Sequence, residues 1–379
     1  MIIEELSTVP HFGFGLMRLP VLDADDKTRI DYAQLNHMVD AFLDAGFTYF
    51  DTAYPYHGGW SERAVKECLV KRHDRESFLL ADKMPAWSLK QPGDVERIFA
   101  EQLERTGAGY FDFYLLHSVE SQWYPVYTEY GCWEWAQRIK DQGLIRHFGF
   151  SYHDGPELLD RVLTEHPEVE FVQLQLNYLD WENPVVRSRE NYEVCRRHGV
   201  YVTVMEPVKG GTLAELPEAQ HELLQAVRPG ASDASWAVRF ALDRPGMLVI
   251  LSGMSDEAQM ADNLATVRSL EPLSESERDA IAEVTRQLLD KPTIGCTACR
   301  YCVDGCPMQI DIPELFRAMN AATLYGNGMR PRGHYRQATS GDHGRASDCI
   351  ACGACAVSCP QHLPIPNLLV QVAQEFDGE

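Results

Sequence analysis

Eight of the chain's eleven cysteines fall in two short runs, "CTACRYCVDGCP" (Cys296–Pro307) and "CIACGACAVSCP" (Cys349–Pro360). Both read Cys-x2-Cys-x2-Cys-x3-Cys-Pro, the spacing with which bacterial proteins hold [4Fe–4S] clusters. Two-residue gaps let three thiolates from one turn-rich loop reach three corners of a cube. The fourth cysteine is carried away and serves the other cluster of a pair. That rule assigns Cys296, Cys299, Cys302 and Cys359 to one cluster, and Cys349, Cys352, Cys355 and Cys306 to a second. Zinc would ask for pairs of cysteines, not two sets of four each closed by a proline. A secreted disulfide scaffold would be shorter, with its cysteines spread along the chain. Cys68, Cys132 and Cys195 are scattered and read as structural thiols.

A second set of residues suits carbonyl chemistry: Asp51 and Tyr56 in "FDTAYPYHGG", Lys83 in "LLADKMP" and His117 in "YLLHS". An unperturbed tyrosine, with a pKa of about 10, is a poor acid at neutral pH. A neighbouring Lys83 ammonium favours the phenolate and lowers that pKa. Asp51 is placed to pair with Lys83 and orient it, and His117 to hydrogen-bond a carbonyl oxygen where charge develops. Tyr56 then gives or takes the proton as hydride moves. Taken singly, each residue has a plainer reading: a solvated lysine, a structural histidine, an aspartate capping a turn.

These residues need elements to position them. Apolar runs alternate with helical patterns through the first 290 residues: "FGFGL", "TYFDT", "FLLADKM", "DFYLLH", "HFGFS", "FVQLQLN", "YVTVME" and "MLVILS". Nearly continuous apolar runs are expected of parallel strands covered by helices. Eight of them predict a (β/α)8 TIM barrel, with the four polar residues near the C-terminal strand ends where such barrels keep their active sites. The runner-up, a doubly wound open sheet, wants a Gly-x-Gly-x-x-Gly after its first strand, and "GFGLMRLP" lacks it. The barrel pattern closes with "SESERDAIAEVTRQLL", where Ser274 and Glu277 have capping-box spacing. We therefore expect a barrel over 1–290 and a small, largely helical iron–sulfur domain over 291–379. The cysteine runs are a repeat offset by 53 residues, each followed by "IP" and a helical stretch. The connection "LYGNGMRPRGHYRQATSGDHGRASD" reads as having little regular structure.

Composition narrows the function. A formal charge of −22 argues against nucleic acid as a partner. No apolar run is long enough to span a membrane, and "MIIEELSTVPHFGFG" has no secretory pattern, so a cytoplasmic protein is expected.

From "GFGLMRLP" to "ADNL" the chain resembles the aldo/keto reductases, and the cysteine-rich tail resembles two-cluster ferredoxins. The family's Asp, Tyr, Lys and His tetrad falls on Asp51, Tyr56, Lys83 and His117. Its carboxamide ligands correspond to Ser151 and Gln173. Gly210 and Gly211 would approach a pyrophosphate, and Asn263 would lie near the adenine end. The resemblance implies reversible, nicotinamide-dependent reduction of an aldehyde or ketone. Tyr152 stands where the family has Asn, and Met205 where it stacks an aromatic on the nicotinamide. "SGMSDEAQ" lacks the basic residues that hold a 2′-phosphate, and Asp256 would repel one, so NAD(H) is preferred over NADP(H). Trp60, Trp87, Trp123, Tyr124 and Trp181 offer an aromatic wall for flat or sugar-like substrates, about half of them as packing anchors.

A hydride carries two electrons and a cubane normally passes one, so joining the halves needs a converter. No flavin motif is found, and a flavin is not excluded. Three readings stay open. In the first, the clusters exchange electrons between the substrate site and nicotinamide, ferredoxin or another redox protein. In the second, a conventional NAD(P)H carbonyl reductase carries structural clusters. The third is a non-catalytic electron-transfer or sensor protein on a retired barrel.

Overall fold

Each of the eight apolar runs forms a strand in the computed structural model, which describes the chain except residues 1–5, 7, 24–25, 184–185, 326–328 and 379. The strands are β1 (Phe12–Gly15), β2 (Tyr49–Asp51), β3 (Leu79–Pro85), β4 (Phe111–Val119), β5 (Ile145–Tyr152), β6 (Phe171–Gln175), β7 (Tyr201–Met205) and β8 (Met247–Gly253). All pair in parallel and in sequence order, and β1 closes on β8. An open doubly wound sheet is thereby excluded. Part of the stretch read as lacking a secretory pattern, residues 1–5 and 7, lies outside the described residues.

Strand periodicity places the polar residues. Tyr49, Ala81, Leu115 and Phe171 share one buried core with Phe113, Val249 and Leu251. Alternate residues of a strand face the same side. Two positions further along, Asp51, Lys83, His117 and Gln173 therefore face inward too, toward the C-terminal strand ends. The interior is tight enough to require a glycine on β1. A Cβ on Gly13 would lie 2.7 Å from Val249 Cγ1 and 2.8 Å from Leu251 Cδ2.

Helices cover the outer face of the barrel. Asp31 caps helix Tyr32–Asp44 by accepting from the Gln34 amide, and Gly46 follows its end with φ +87°. Two short helical segments, Tyr56–Gly59 and Trp60–Val65, follow β2, and helix Asp94–Thr106 follows β3. The expected capping box forms at helix Glu275–Leu289: Ser274 and Glu277 bond each other's backbone reciprocally. Among the described residues no helix is long and apolar enough to cross a membrane.

The chain divides into two compact units, Met1–Pro207 with Ser235–Leu273, and Val208–Ala234 with Ser274–Glu379. In the second, Ile310, Leu315, Phe316, Leu369 and Val372 are core residues, supplied in part by helices Ile312–Tyr325 and Ile365–Phe376. The connection between the cysteine runs is more regular than its composition suggests, since Met329–Ala338 is a helix. Pro331 sits in its first turn, where the missing amide does little harm. Tyr335 anchors the helix by stacking on Phe376 at 4.7 Å, donating to Asp377 at 2.8 Å and accepting from the Ala346 amide at 3.0 Å. Residues 326–328 of the same connection lie outside the described residues.

Candidate active site and cysteine cavities

Lys83 is fully buried, and its ammonium organises the barrel mouth. Its Nζ donates to Asp51 Oδ1 at 2.5 Å and to the Thr52 carbonyl at 2.8 Å, and lies 3.4 Å from Tyr56 Oη. An ammonium has three protons, and all three directions are thus accounted for by groups from β2 and the turn after it. Burial raises the Asp51 carboxyl above its usual range, against the opposing pull of Lys83 and Gln173. His117 is pushed well below the usual imidazole range, by burial first and then by Lys83 and His153. It is a neutral ring at neutral pH. The Tyr56 and His117 rings stand edge to face at 6.0 Å. Phenol, imidazole and ammonium therefore meet at one end of the barrel.

A layer of residues that the sequence analysis passed over holds this arrangement. The Tyr127 hydroxyl, wholly buried, lies 2.7 Å from the Met84 carbonyl and 2.6 Å from that of His117, and accepts from the Ala86 amide at 3.1 Å. It ties the ends of β3 and β4 together. Behind Lys83 are two buried carboxyls, Glu62 and Asp82. Asp82 Oδ1 accepts from the Lys83 amide at 2.8 Å and from Gln102 Nε2 at 2.8 Å. Gln102 Nε2 also reaches the Lys83 carbonyl at 3.0 Å, and its Oε1 accepts from Tyr114 at 2.5 Å. Glu62 Oε2 accepts from Arg105 at 3.0 Å. Burial lifts the Glu62 carboxyl to about 7, opposed by Arg105 and by hydrogen bonds with Gln102 and Asp82. Asp82 is raised well above the usual range by burial and by the charge of Glu62. With one arginine facing two buried carboxyls, the pair retains a proton near neutrality. A signal for it existed in "ADK": an outward strand position covered by helices is an anomalous place for an aspartate.

Of the predicted aromatic wall, Trp87 lies 5.0 Å from the His117 ring, and Trp123 lies 6.0 Å from Trp87. The other three sit elsewhere. Tyr124 bonds Glu165, Trp181 packs on Tyr192 and Phe240, and Trp60 lines an outer cleft with Tyr32 and Arg63.

The eight clustered cysteines line two cavities. Cys296, Cys299, Cys302 and Cys359 line one. Cys306, Cys349, Cys352 and Cys355 line the other. Each set takes its fourth cysteine from the other run. Among the described residues no three His, Cys, Asp or Glu groups converge as they would on a single metal ion. The thiols ring a space instead, which is what a cube of iron and sulfide requires. Amides point at sulfur in both loops: Ala298 N–H donates to Cys296 Sγ and Ala351 N–H to Cys349 Sγ, each at 3.4 Å. The residues present therefore fit the group.

A family model for the aldo/keto reductase family matches residues 11–286, and a 4Fe-4S dicluster domain matches residues 295–363. The chain belongs to the aldo/keto reductase family. Its relatives include a protein of Emericella nidulans named "Probable NAD(P)H-dependent D-xylose reductase", 25% identical over 76% of this chain and 94% of the relative. The 4-dihydromethyl-trisporate dehydrogenase of Mucor mucedo is 25% identical over 62% of this chain and 78% of that one. Among solved structures, an aldo-keto reductase of Bacillus halodurans in its holo form superposes with a TM-score of 0.58, at 24% identity over 72% of this chain and 91% of its own. A Klebsiella pneumoniae aldo/keto reductase in complex with NADP and acetate gives 0.57, at 20% identity over 74% and 91%. These structures share the fold.

In this aldo/keto reductase barrel two of the predicted cofactor residues, Ser151 and Gln173, are register partners on neighbouring strands. Ser151 Oγ, on β5, accepts from the Ser118 amide at 2.7 Å, and Gln173 Nε2, on β6, lies 3.4 Å from Asp51 Oδ2. Asn263 donates to Ser252 Oγ at 3.1 Å. Gly210 belongs to the second unit, where a Cβ would lie 2.7 Å from the Thr297 carbonyl oxygen; Gly211 faces open space. Arg18 is a cation that the sequence analysis overlooked. Its side chain covers Gly253 at the end of β8, and its NH2 lies 3.7 Å from Glu206 Oε1.

Proposed function

We propose that the protein is an iron–sulfur oxidoreductase that reversibly reduces an aldehyde or ketone at Tyr56, Lys83, His117 and Asp51. The observation that supports this most directly is the Lys83 ammonium, held 2.5 Å from Asp51 and 3.4 Å from Tyr56. A substrate carbonyl oxygen between Tyr56 and His117 takes a hydrogen bond from the neutral imidazole and the proton of the phenol. Lys83 stabilises the phenolate left behind, and Asp51 keeps the ammonium charged and oriented. Trp87 packs beside His117, Trp123 backs it, and the pair would exclude water from the substrate. In the alcohol-to-carbonyl direction Tyr56 takes the proton back. A nicotinamide bound here would supply or take the hydride, and two one-electron clusters held by the cysteine sets would together match the two electrons of one hydride, exchanged with a redox partner through a two-electron to one-electron converter such as a flavin. We place the division between reductase barrel and cluster domain near residue 290, with Cys296, Cys299, Cys302 and Cys359 holding one [4Fe–4S] cluster and Cys306, Cys349, Cys352 and Cys355 the other.

For the nicotinamide we propose NAD(H). Asp256 caps helix Glu257–Arg268 by accepting from the Gln259 amide at 2.8 Å, and its carboxylate disfavours a 2′-phosphate there. The Klebsiella relative binds NADP, and Arg18 near β8 is the cation a 2′-phosphate would compete for with Glu206. Ferredoxin or a similar one-electron protein is the proposed partner of the clusters.

Anaerobic protein exposed separately to NADH and to reduced ferredoxin, with cluster absorbance followed with and without carbonyl substrate, tests this reading. Bleaching by either donor that substrate reverses is expected. Tyr56→Phe should remove that reversal, lowering carbonyl turnover roughly 10²–10⁴-fold with the far-UV spectrum unchanged; retained turnover would refute the tetrad. One observation favours purely structural clusters: Cys302 and Cys355 belong to the buried core of the second unit. Carbonyl turnover that survives loss of the clusters would establish that alternative.

A further inference from the structure

The 53-residue repeat extends to backbone conformation. Left-handed residues recur in register: Ala298 with Ala351 (φ +53° and +54°), Gln309 with His362 (+54° and +49°), and Arg300 with Gly353 (+68° and +80°). Each loop is therefore a control for the other. What differs at matched positions is not demanded by the loop's shape.

Positions 300 and 353 differ most. The left-handed region suits glycine and strains any residue with a Cβ. The second loop uses glycine there and the first carries an arginine. Both loops hold other non-glycine residues in this region, Ala298, Gln309, Ala351 and His362, so what distinguishes position 300 is the charge that it adds. Arg300 is the one charged residue among those described as lining the first cavity, whereas the lining of the second contains none. Its guanidinium is anchored from outside that lining, 3.0 Å from Asp311 and 3.9 Å from Glu314. The anchor fixes where the positive charge sits.

Cluster potentials follow local charge, hydrogen bonds to sulfur, and solvent exposure. The amide-to-sulfur contacts match at 3.4 Å in both loops. Exposure differs modestly: Cys352 is exposed, and no cysteine of the first set is. A cation in the cavity wall favours the reduced, more negative cluster. The Arg300 side chain is 31% exposed, so its charge is incompletely screened there.

Resting on the cluster reading above, we propose that Arg300 makes the two clusters inequivalent, setting the one held by Cys296, Cys299, Cys302 and Cys359 at the higher potential. A single electron given to the pair then rests on that cluster, and only a second one occupies its partner.

The test is a redox titration of the anaerobic, full-length protein with dithionite, followed by electron paramagnetic resonance, in wild type, Arg300→Gly, Arg300→Lys and Gly353→Arg. Wild type should show two separated one-electron midpoints. Arg300→Gly, which copies the second loop, should shift the higher midpoint down and leave the lower one in place. Arg300→Lys should hold most of the separation. Gly353→Arg should raise the lower midpoint alone, and a Cβ there meets nothing within 4 Å. Should Arg300→Gly lose its first cluster, Gly353→Arg still decides. Coincident wild-type midpoints, or midpoints indifferent to both substitutions, would overturn the role of Arg300. Wild-type protein that takes up no cubane iron would overturn the cluster reading itself.

Discussion

Replacing Glu62 with glutamine should make the barrel more stable at alkaline pH and flatten its dependence on pH. Wild-type Glu62 is buried beside Asp82, with its carboxyl raised from 4.5 to about 7, chiefly by burial. The groups facing the pair are Arg105 and Gln102 from helix Asp94–Thr106, Tyr114 from β4, and Lys83 and Asp51 at the mouth. An acid whose folded value is raised binds its proton more tightly in the native state. Stability from this group is therefore full below pH 4.5 and lost as pH climbs through about 7. One pH unit is worth about 1.4 kcal/mol, so the loss over that window is roughly 3 kcal/mol. Glutamine keeps an oxygen for Arg105 and offers Asp82 a permanent donor, imitating the protonated acid. Denaturant unfolding of wild type and Glu62→Gln from pH 5 to 8.5, under argon to protect the cysteines, measures the difference. The two curves should approach each other at the acid end and diverge by about 3 kcal/mol at the alkaline end. Asp82→Asn should have a similar effect, and the double substitution should gain less than the sum. Parallel curves for wild type and variant would show that no proton is shared.

The remaining predictions concern the mouth and the cysteines. Because His117 is held well below the ordinary imidazole range, the acid limb of kcat/KM should lack an imidazole ionisation near neutrality, and His117→Gln should lower the plateau without moving that limb. The crossed cysteine sets predict that Cys306→Ser disrupts the cluster of the second run and Cys359→Ser that of the first, each sparing its neighbour in resonance or Mössbauer spectra. Gly210→Ala combines φ +63° with a Cβ 2.7 Å from the Thr297 carbonyl. It should destabilise the second unit by at least about 1–2 kcal/mol, seen as a lowered melting midpoint and faster loss of iron.

What the sequence makes legible follows from burial. Parallel strands covered on both faces must be apolar along their whole length, so "FLLADKM" and "MLVILS" announce themselves, and a polar residue at the end of such a run stands out. Lys83 and His117 are visible for that reason. Asp82 is equally anomalous, yet its meaning depends on Glu62 and Gln102, twenty residues away on either side, and no local pattern links them. Tyr127 is hidden differently, as one aromatic among many in "WYPVYTEYGCW" until its hydroxyl is seen between β3 and β4. The helix Met329–Ala338 escaped because Pro331 and Gly333 speak against it locally. The stacking of Tyr335 on Phe376 outweighs them, a tertiary contact with a residue 41 positions later.

The departures from the family's cofactor pattern can be weighed by asking which hydrogen bonds remain for a nicotinamide carboxamide. Tyr152, standing where Asn is usual, is buried and donates its hydroxyl proton to the Gly155 carbonyl at 2.5 Å, so that proton is already used. Ser151 Oγ already accepts from the Ser118 amide, but a hydroxyl keeps one proton to donate. Gln173 directs its Nε2 at Asp51, which leaves its Oε1 as an acceptor. A carboxamide presents an acceptor oxygen and two N–H donors. In the proposed binding mode the Ser151 hydroxyl would donate to the carboxamide oxygen and Gln173 Oε1 would accept one of its N–H groups, with Met205 standing where the family stacks an aromatic. Nicotinamide binding of the kind proposed would therefore rest on two hydrogen bonds, whose free donor and acceptor are left by the contacts of Ser151 with Ser118 and of Gln173 with Asp51. A disturbance of the tetrad's aspartate should weaken cofactor affinity as well as the chemical step.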